Sequence, residues 1–340
     1  MPEGHTIHRL AAALNELYGG QNLHISSPQG RFADGASRLD GQVLLGGQAH
    51  GKHLFLPFGP RPDMPLDDAS VTWLRIHLGL YGSWTFDGDR EFTAPHAIGA
   101  PRRRVGERGE HPLKGGGGSA LAGLKGGSVG VDPGEDTEGT GADSRGCPAP
   151  EDWEPPEPRG AVRLRLLGRH GVADLTGPAA CELLDAEGVA AVRRRLGPDP
   201  LRPDADVEVF VAKARSRRKS IGELLMDQAV ISGAGNIYRA ETLFRVGVSP
   251  FRAGNRISED RLRAIWEDLR PLMEYGVDTG FITTVDLDDV PDPLPPDDLE
   301  AGRWYVYHRA GRPCLRCGTP VAEREMAARR LFWCPSCQAR

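Results

Sequence analysis

Four cysteines near the end of the sequence constrain what this chain can fold into more than any other feature. Cys314 and Cys317 form one Cys-x2-Cys pair, Cys334 and Cys337 form a second, and sixteen residues separate the pairs. This spacing is typical of a tetrahedral site in which four thiolates bind one structural zinc ion. The segment between the pairs, with two arginines before Leu331-Phe332-Trp333, predicts a β-hairpin that carries those arginines at its tip.

The rest of the composition indicates an enzyme or binding protein of the cell interior. Four of the six cysteines lie in the two pairs, which favours metal binding in a reducing compartment over a disulfide framework. No run of eighteen apolar residues occurs, so no membrane span is expected. The sequence begins without a basic segment followed by an apolar core, so no secretory signal is expected. We therefore expect a cytoplasmic protein. Its length of 340 residues allows two or three domains.

The formal net charge of −5 conceals an uneven distribution of charge along the chain. Residues 105–160 carry a net charge of −6 and residues 286–300 a net charge of −7, so the remainder carries +8. A basic body of this kind is typical of nucleic-acid binding, and the whole-chain charge alone would hide it.

The first residues, MPEGHTIHR, place an unusual amine beside a carboxyl group. Removal of Met1 would leave Pro2 as a secondary amine, and an α-amino group titrates near pH ~8, so part of it is nucleophilic at neutral pH. Such an amine condenses with an aldehyde or acetal carbon to give an iminium, and Glu3 is placed to transfer protons. The alternative is a frayed and inert terminus. A helix is predicted to follow from the spacing of Ile7, Leu10, Ala11 and Leu14.

Beyond this helix the chain predicts β structure to about residue 96, with strands in 42–58 and 71–86. Lys52 lies at the entrance to one of these strands, where a lysine is usually a solvated edge charge. Residues 100–160 are rich in glycine and proline and poor in apolar residues, which predicts a disordered insertion. An alternating strand resumes at 161–167.

The next part of the chain is predicted to be helical around one glycine-rich turn. The turn, Ser232–Asn236, precedes a helix whose first N–H groups would suit a phosphate. Its basic neighbours form an electrostatic footprint for a nucleic-acid backbone; they are Arg215, Arg217, Arg218, Lys219 and Arg239. The segments with helical apolar spacing are 179–184, 189–196, 205–214 and 259–274.

With these features the chain resembles the formamidopyrimidine-DNA glycosylase/endonuclease VIII family of base-excision repair enzymes. Four motifs carry the resemblance, occur in family order and span the chain apart from residues 100–160. They are MPEGHT at the start, GKH at 51–53, MDQAVISGAGNIYRAE at 226–241, and Gly318 with CPSCQ at 334–338.

The resemblance implies an α+β fold. It consists of an N-terminal β-sandwich with a leading helix, a helical helix–two-turns–helix domain, and a zinc-ribbon β-hairpin. The implied divisions are a catalytic sandwich at 1–175 that includes the insertion, a DNA-binding domain at 176–285, an acidic linker at 286–303, and a four-cysteine zinc finger at 304–340.

The resemblance also implies the chemistry of the site. Pro2 would attack C1′ of a damaged nucleotide and displace the base, while Glu3 would assist opening of the sugar ring. Lys52 is implied in β-elimination, and Arg329, five residues before Cys334, in δ-elimination. These steps make a bifunctional glycosylase and abasic-site lyase.

Four further residues are implied to contact DNA. Asn236 would bind the phosphates around the lesion, and Arg195 matches a DNA-contacting arginine of the endonuclease VIII branch. Leu80 and Tyr81 would fill the void that the extruded base leaves, because the reacting carbon is not open to attack inside a duplex. The implied partner is damaged double-stranded DNA, bound by a monomer that holds one structural zinc ion.

Three features indicate which branch of the family the chain resembles. His5 after Pro-Glu-Gly, together with Leu80-Tyr81, resembles the endonuclease VIII side, although Gly79 stands where that branch has a polar wedge residue. Ile221 is followed by Gly222, where the guanine-lesion branch has a lysine. Oxidised pyrimidines are therefore the expected substrates.

Three alternatives remain open at this stage. A DNA-binding module without catalysis would keep the zinc and the helices but not Pro2, Glu3, Lys52 and Arg329 as a set. A zinc-ribbon transcription or RNA-binding factor would explain the cysteines but not the N-terminus. His5 and His8 share a helix face but lack a third metal ligand nearby, so packing or a phosphate contact is favoured over metal binding.

Overall fold

The structure is a computed structural model that describes residues 2–100 and 153–339. Most of the predicted insertion at 100–160 therefore lies outside the described residues. Within the described ranges, no helix is long and apolar enough to cross a membrane.

The N-terminal half is a sandwich of two antiparallel sheets, as predicted. One sheet has the strand order β1-β8-β9-β6-β7, and the other has β10-β5-β4-β2 with β3 also paired to β4. The strands are β1 (His24–Ser26), β2 (Val43–Leu44), β3 (Gln48–His50), β4 (His53–Gly59), β5 (Thr72–His77), β6 (Ser83–Gly88), β7 (Ala97–Gly99), β8 (Val162–Leu167), β9 (Gly171–Thr176) and β10 (Ala180–Leu184).

The leading helix α1 (Gly4–Tyr18) packs into the same core as the two sheets. Its buried apolar face includes Ile7, Leu10 and Leu14, which confirms the predicted spacing. These side chains meet alternating core residues of both sheets, such as Leu54 and Leu164. A second helix, α2 (Ala33–Leu39), lies within the stretch that was expected to contain only strands.

The helix predicted at 179–184 is wrong, because this segment is strand β10. It pairs with β5 in an antiparallel register that sets Ala180 opposite His77 and Leu184 opposite Trp73. Five residues are too few to separate a helical from an alternating pattern. The strand belongs to the second sheet of the sandwich, beyond the boundary that the sequence analysis set at residue 175.

Five more α-helices follow in the described chain. Side chains cap three of them, namely Asp185, Asp206 and Ser258, and Ser220 and Glu223 form a capping box on a fourth. The helices are α3 (Ala186–Arg194), α4 (Val207–Arg215), α5 (Ile221–Leu224), α6 (Asn236–Arg245) and α7 (Glu259–Thr279). Helices α4 to α7 surround a second core, whereas α3 packs Val189 and Val192 against Phe55 and Trp73 of the sandwich.

The last element is the predicted hairpin, formed by β11 (Ala322–Met326) and β12 (Arg329–Trp333). The tip differs from the prediction, since Ala327 and Ala328 occupy it with a positive φ of 54° each. Arg329 and Arg330 are instead the first residues of β12.

The acidic segment expected to be a linker packs against the zinc-binding part. Asp298 and Arg309 form a buried ion pair at 2.8 Å. Asp286 pairs with Arg245 of α6 at 2.9 Å, and Asp297 also pairs with an arginine. Much of the negative charge of this segment is therefore neutralised within the molecule.

Glu241 of α6 holds the beginning of the zinc-binding part in place. Its fully buried carboxylate accepts hydrogen bonds from the backbone N–H groups of Tyr305 at 2.8 Å, Val306 at 2.9 Å and Tyr307 at 2.8 Å. The hydroxyl of Thr284 donates a further one. Four donors satisfy one buried charge, as a buried charge requires.

Replacement of this carboxylate should therefore destabilise the fold. We expect Glu241→Gln to lower the free energy of unfolding by about 3 kcal/mol, because an amide nitrogen would face donors that are left unsatisfied. The matched control is Glu274→Gln, which removes a surface pair with Arg270 and should cost less than about 0.5 kcal/mol. Denaturant unfolding measures both, and equal losses would contradict the assigned role.

Candidate functional site

The N-terminus of α1 lies against the first turn of α6. The N–H of Gly4 donates to the carbonyl of Gly233 at 2.8 Å, and a Cβ at Gly4 would approach the Cα of Gly233 to 2.6 Å. A Cβ at Gly235 would overlap the carboxyl group of Glu3. Glycines are thus needed for this contact, and they bring the N-terminal residues to the turn that the sequence singled out for phosphate.

Glu3 is fully buried in this contact, directly after the buried Pro2. Its Oε1 accepts a hydrogen bond from the N–H of Ile237 at 3.1 Å. Its buried Oε2 has no hydrogen-bond partner among the described residues. Burial raises the pKa of Glu3, and the nearby charge of Lys52 opposes the rise. The group is therefore suited to hold a proton and to release it.

Lys52 reaches the same place from the turn between β3 and β4. The turn needs Gly51, which has a φ of +58° and whose Cβ would lie 2.8 Å from the Cβ of Ser232. Burial lowers the pKa of Lys52, the charge of Glu3 opposes this, and the charge of Arg329 adds to it. The structure thus brings Glu3, Lys52 and Arg329 within electrostatic reach of one another.

Asp199 fixes the geometry of this group and was not singled out from the sequence. Its buried carboxylate accepts from the N–H of Gly51 at 2.7 Å and from that of Leu201 at 3.0 Å, and it pairs with Nε2 of His8 at 2.8 Å. It therefore joins α1 to the turn that carries Lys52. The signal in the sequence that could have found it is the Gly-Pro-Asp run at 197–199, shortly after Arg195.

His5 behaves as the packing interpretation predicted. The ring is 5% exposed and meets the ring of Tyr238 edge-on, with centroids 5.6 Å apart. Burial lowers the pKa of His5 to about 3, so the imidazole is neutral. Metal binding by His5 with His8 receives no support, since the one cluster of potential metal ligands within the described ranges consists of cysteines.

Asn236 and Arg239 connect α6 to the hairpin. Asn236 donates through Nδ2 to the carbonyl of Arg330 at 2.9 Å, and its Oδ1 accepts from Arg239. Arg239 is fully buried and donates to the carbonyl of Met326 at 3.1 Å. The interpretation of Arg239 as part of a surface footprint for DNA is therefore wrong, because its buried guanidinium group is hydrogen-bonded within the protein.

The three other residues expected at DNA lie on the surface. Leu80 and Tyr81 are 42% and 67% exposed in the tight turn between β5 and β6, which the positive φ of Gly79 shapes. Arg195 is exposed directly after α3. Exposed apolar side chains at a loop tip suit insertion into a duplex.

The four cysteines form a site that fits one zinc ion. Their Sγ atoms all lie within 4.8 Å of one another; those of Cys314 and Cys337 are 3.9 Å apart, and those of Cys317 and Cys334 are 3.4 Å apart. Four sulfurs at about 2.3 Å from a tetrahedral zinc are about 3.8 Å apart. The donor set and its spacing therefore suit a structural zinc.

Comparisons with known proteins agree with this geometry. Residues 196–287 match the family described as "Formamidopyrimidine-DNA glycosylase H2TH domain", and residues 311–340 match "Zinc finger found in FPG and IleRS". The protein named "Endonuclease 8 1" of Mycobacterium tuberculosis is 38% identical over 341 residues, which cover 99% of this chain and 100% of that protein. The chain belongs to the formamidopyrimidine-DNA glycosylase/endonuclease VIII family.

Further relatives define the extent of the likeness within this family. A formamidopyrimidine-DNA glycosylase of Xanthomonas campestris is 36% identical over 143 residues, which cover 42% of this chain and 52% of that protein. The solved structure of MutM with DNA that contains carbocyclic 8-oxo-G has a TM-score of 0.63 at 18% identity and full coverage of both chains. The complex of Lactococcus lactis Fpg with abasic-site DNA has a TM-score of 0.62 at 17% identity, covering 99% of this chain and 100% of that one.

The family, the α+β fold and the zinc cofactor predicted from the sequence are thereby confirmed. The family places the chain among the DNA glycosylases that repair oxidised bases.

The zinc site generates a prediction about folding. A small hairpin buries too little apolar area to stand alone, so metal binding supplies its stability. We expect about one zinc ion per chain, and we expect Cys334→Ser to lose both the zinc and most of the affinity for DNA. The control is Cys181→Ser in β10, a cysteine outside the cluster, which should keep the metal. Metal analysis and a binding titration measure both variants, and a metal-free protein that binds DNA normally would contradict the prediction.

Proposed function

We propose that this protein is a bifunctional DNA glycosylase and abasic-site lyase that works through an iminium on Pro2. The observation that carries the proposal is the burial of Glu3, the residue that follows Pro2. Glu3 is buried within the electrostatic influence of Lys52, in a contact that is possible because Gly235 has no side chain. A carboxyl group with a raised pKa beside an amine with a lowered pKa is the arrangement that acid–base chemistry at neutral pH needs.

The proposed reaction proceeds in balanced steps. The nitrogen of Pro2 forms a bond to C1′ while the glycosidic bond breaks; the base leaves with the electron pair of that bond and takes up the proton that the proline nitrogen loses. Glu3 donates its proton to the ring oxygen as the sugar opens, which gives the iminium. Lys52 is placed to remove a proton from C2′, so that the 3′ phosphate leaves by β-elimination. Arg329 is proposed to assist the loss of the 5′ phosphate by δ-elimination.

The proposed substrate is DNA with an oxidised base, and the solved relatives of this fold are complexes with DNA that contains 8-oxo-G or an abasic site. We propose a preference for oxidised pyrimidines. Gly222 supports it, because a Cβ there would lie 2.7 Å from Sδ of Met326 and 3.0 Å from the carbonyl oxygen of Pro250. A lysine at this position, as in the guanine-lesion branch, would require the side chain of Met326 to move and the backbone at Pro250 to shift slightly.

Three of the proposed contacts with DNA are on the surface: Arg195 would approach the phosphates, and Leu80 and Tyr81 would fill the gap left by the extruded base. Asn236 is buried and its side chain is bonded to Arg330 and Arg239, so its proposed contact with a phosphate requires these bonds to rearrange. We propose that the protein acts as a monomer in the cytoplasm, where a reducing environment keeps its zinc-binding thiols free of disulfides. The non-catalytic alternative is less favoured because Glu3, Lys52 and Arg329 are gathered at one place.

The iminium is the test of this function. Borohydride should reduce it and trap the protein covalently on lesion-containing DNA, provided that Met1 has been removed. We expect a protein with an uncleaved N-terminal extension to lose trapping, because an acylated proline nitrogen is an amide without a nucleophilic lone pair. Lys52→Ala should react slowly but still trap. Robust trapping by the blocked protein would overturn the proposal and indicate a lysine as the nucleophile.

Glu3→Gln separates the two activities in the same assay. We expect it to lose base excision while it retains strand cleavage at a preformed abasic site, where the glycosidic bond is already broken. Arg61→Gln, which removes an exposed charge on the far side of β4 from the site, is the control and should leave both activities intact.

A panel of duplexes tests the substrate preference. Each duplex carries one oxidised pyrimidine or one oxidised purine in the same sequence, and single-turnover excision rates are compared. We expect the pyrimidine lesions to react at least tenfold faster. Equal rates, or faster excision of oxidised guanine, would contradict the preference but not the iminium chemistry.

A further inference from the structure

Beside Lys52, the face of the sheet formed by β4 and β5 carries a row of side chains that the proposed chemistry does not use. His53 opens β4 directly after Lys52 and lies opposite His77 at the end of β5, with ring centroids 4.9 Å apart. Arg75 lies on the same face, two residues before His77. The turn that carries the exposed Tyr81 follows β5. The row thus extends from the catalytic lysine towards the loop expected to enter DNA.

Arg75 determines where His53 carries its proton. Its Nε donates to Nδ1 of His53 at 3.2 Å, and its Nη2 lies 3.1 Å from the same atom. A guanidinium group only donates hydrogen bonds and does not lose its proton in proteins. Nδ1 must therefore offer a lone pair, and the single ring proton lies on Nε2. Glu182, opposite Arg75 in the register of β10 and β5, pairs with Arg75 and holds it in this orientation.

The surroundings also keep His53 neutral. Burial is the largest cause, and the neighbouring charges act in the same direction, so the pKa of His53 lies at about 3. Glu182 reaches the row only through its pair with Arg75. The other titratable or charged groups that face His53 are Arg75 and His77 on β5, His50 on β3 and Arg195 after α3.

Nε2 of His53 is the ring nitrogen that remains available to a ligand. It makes no hydrogen bond to any residue in the described ranges, and it is not among the atoms closed off from solvent. The positive charges of Arg75 and Arg195 near His53, and of Lys52 near the neighbouring His77, attract an anion. The geometry points to a fixed N–H donor in a positive surface beside the catalytic lysine.

We propose that His53 is a neutral hydrogen-bond donor to a phosphodiester of the DNA strand that passes Lys52. The proposal rests on the proposed function, since it needs DNA at this face. A histidine beside a phosphate ordinarily gains a proton, because the anion stabilises the imidazolium form. Burial disfavours the added proton, and Arg75 occupies Nδ1, the nitrogen that would have to accept it, so DNA binding at this position does not depend on pH.

The test measures affinity for a duplex with an uncleavable abasic-site analogue between pH 5.5 and pH 8. We expect Arg75→Met to release Nδ1, so that a bound phosphate can protonate His53. Relative to the wild-type profile, binding by this variant should tighten as the pH falls, by up to tenfold for a shift of about one pKa unit. The double variant Arg75→Met/His53→Gln should return to the wild-type profile. A profile of Arg75→Met that matches the wild type would overturn the proposal.

A second pair of variants leaves Arg75 in place. His53→Leu should weaken binding by roughly threefold to tenfold, the net worth of a typical hydrogen bond, while His53→Gln, which keeps a donor, should recover part of it. Because a neutral donor releases no counterion, the slope of log affinity against log salt should not change. Unchanged affinity of a folded His53→Leu protein, or a shallower slope, would refute the proposal.

Controls separate this inference from the proposed function. Arg61→Met removes an exposed arginine outside the row and should preserve the wild-type pH profile. Borohydride trapping by the wild-type protein tests the iminium chemistry alone. If the wild type traps and His53→Leu binds as tightly as the wild type, the role of His53 is wrong while the proposed function stands.

Discussion

The burial of the Glu3 carboxyl group against the first turn of α6 is the interaction on which the rest of the structure depends. It joins the start of α1, which belongs to the sandwich, to a helix of the C-terminal half, and it is possible only because Gly235 lacks a side chain. The same burial raises the pKa of the carboxyl group. The same contact therefore joins the two halves and prepares the acid, so a change that moves α6 also moves the chemistry.

Other buried charges extend this arrangement through the molecule. Asp199 collects donors from α1 and from the turn at Gly51, Arg239 joins α6 to the hairpin, and Glu241 gathers three successive backbone N–H groups. Apolar cores tolerate some sliding of their surfaces, whereas a charge with several fixed partners admits one geometry. Such charges are costly if any partner is lost, and here each joins two chain segments that are distant in sequence.

The features predicted from the sequence are those with local causes. The zinc site follows from the spacing of Cys314 to Cys337, and the leading helix follows from its apolar period. The strand at 180–184 was mistaken for a helix because its partner β5 lies about a hundred residues earlier, and five residues do not show which period applies. For a related reason, Arg239 was wrongly expected at the DNA-binding surface and Asp199 was not singled out. Burial of a polar side chain depends on tertiary contacts, and a basic residue beside a glycine turn looks the same in sequence whether it faces DNA or the interior.

The positions of Arg329 and Cys334 connect the metal to the proposed chemistry. Zinc fixes the end of β12 at Cys334, and the bonds from Arg239 to the carbonyls of Met326 and Arg330 fix its beginning. Arg329 opens the same strand, and its charge lowers the pKa of Lys52. The hairpin therefore influences the lysine electrostatically, while Glu3 is held by α6 without it. Under the proposed mechanism, the elimination steps depend on the metal-bound hairpin through Arg329, whereas the acid that assists base removal depends on the contact between α1 and α6.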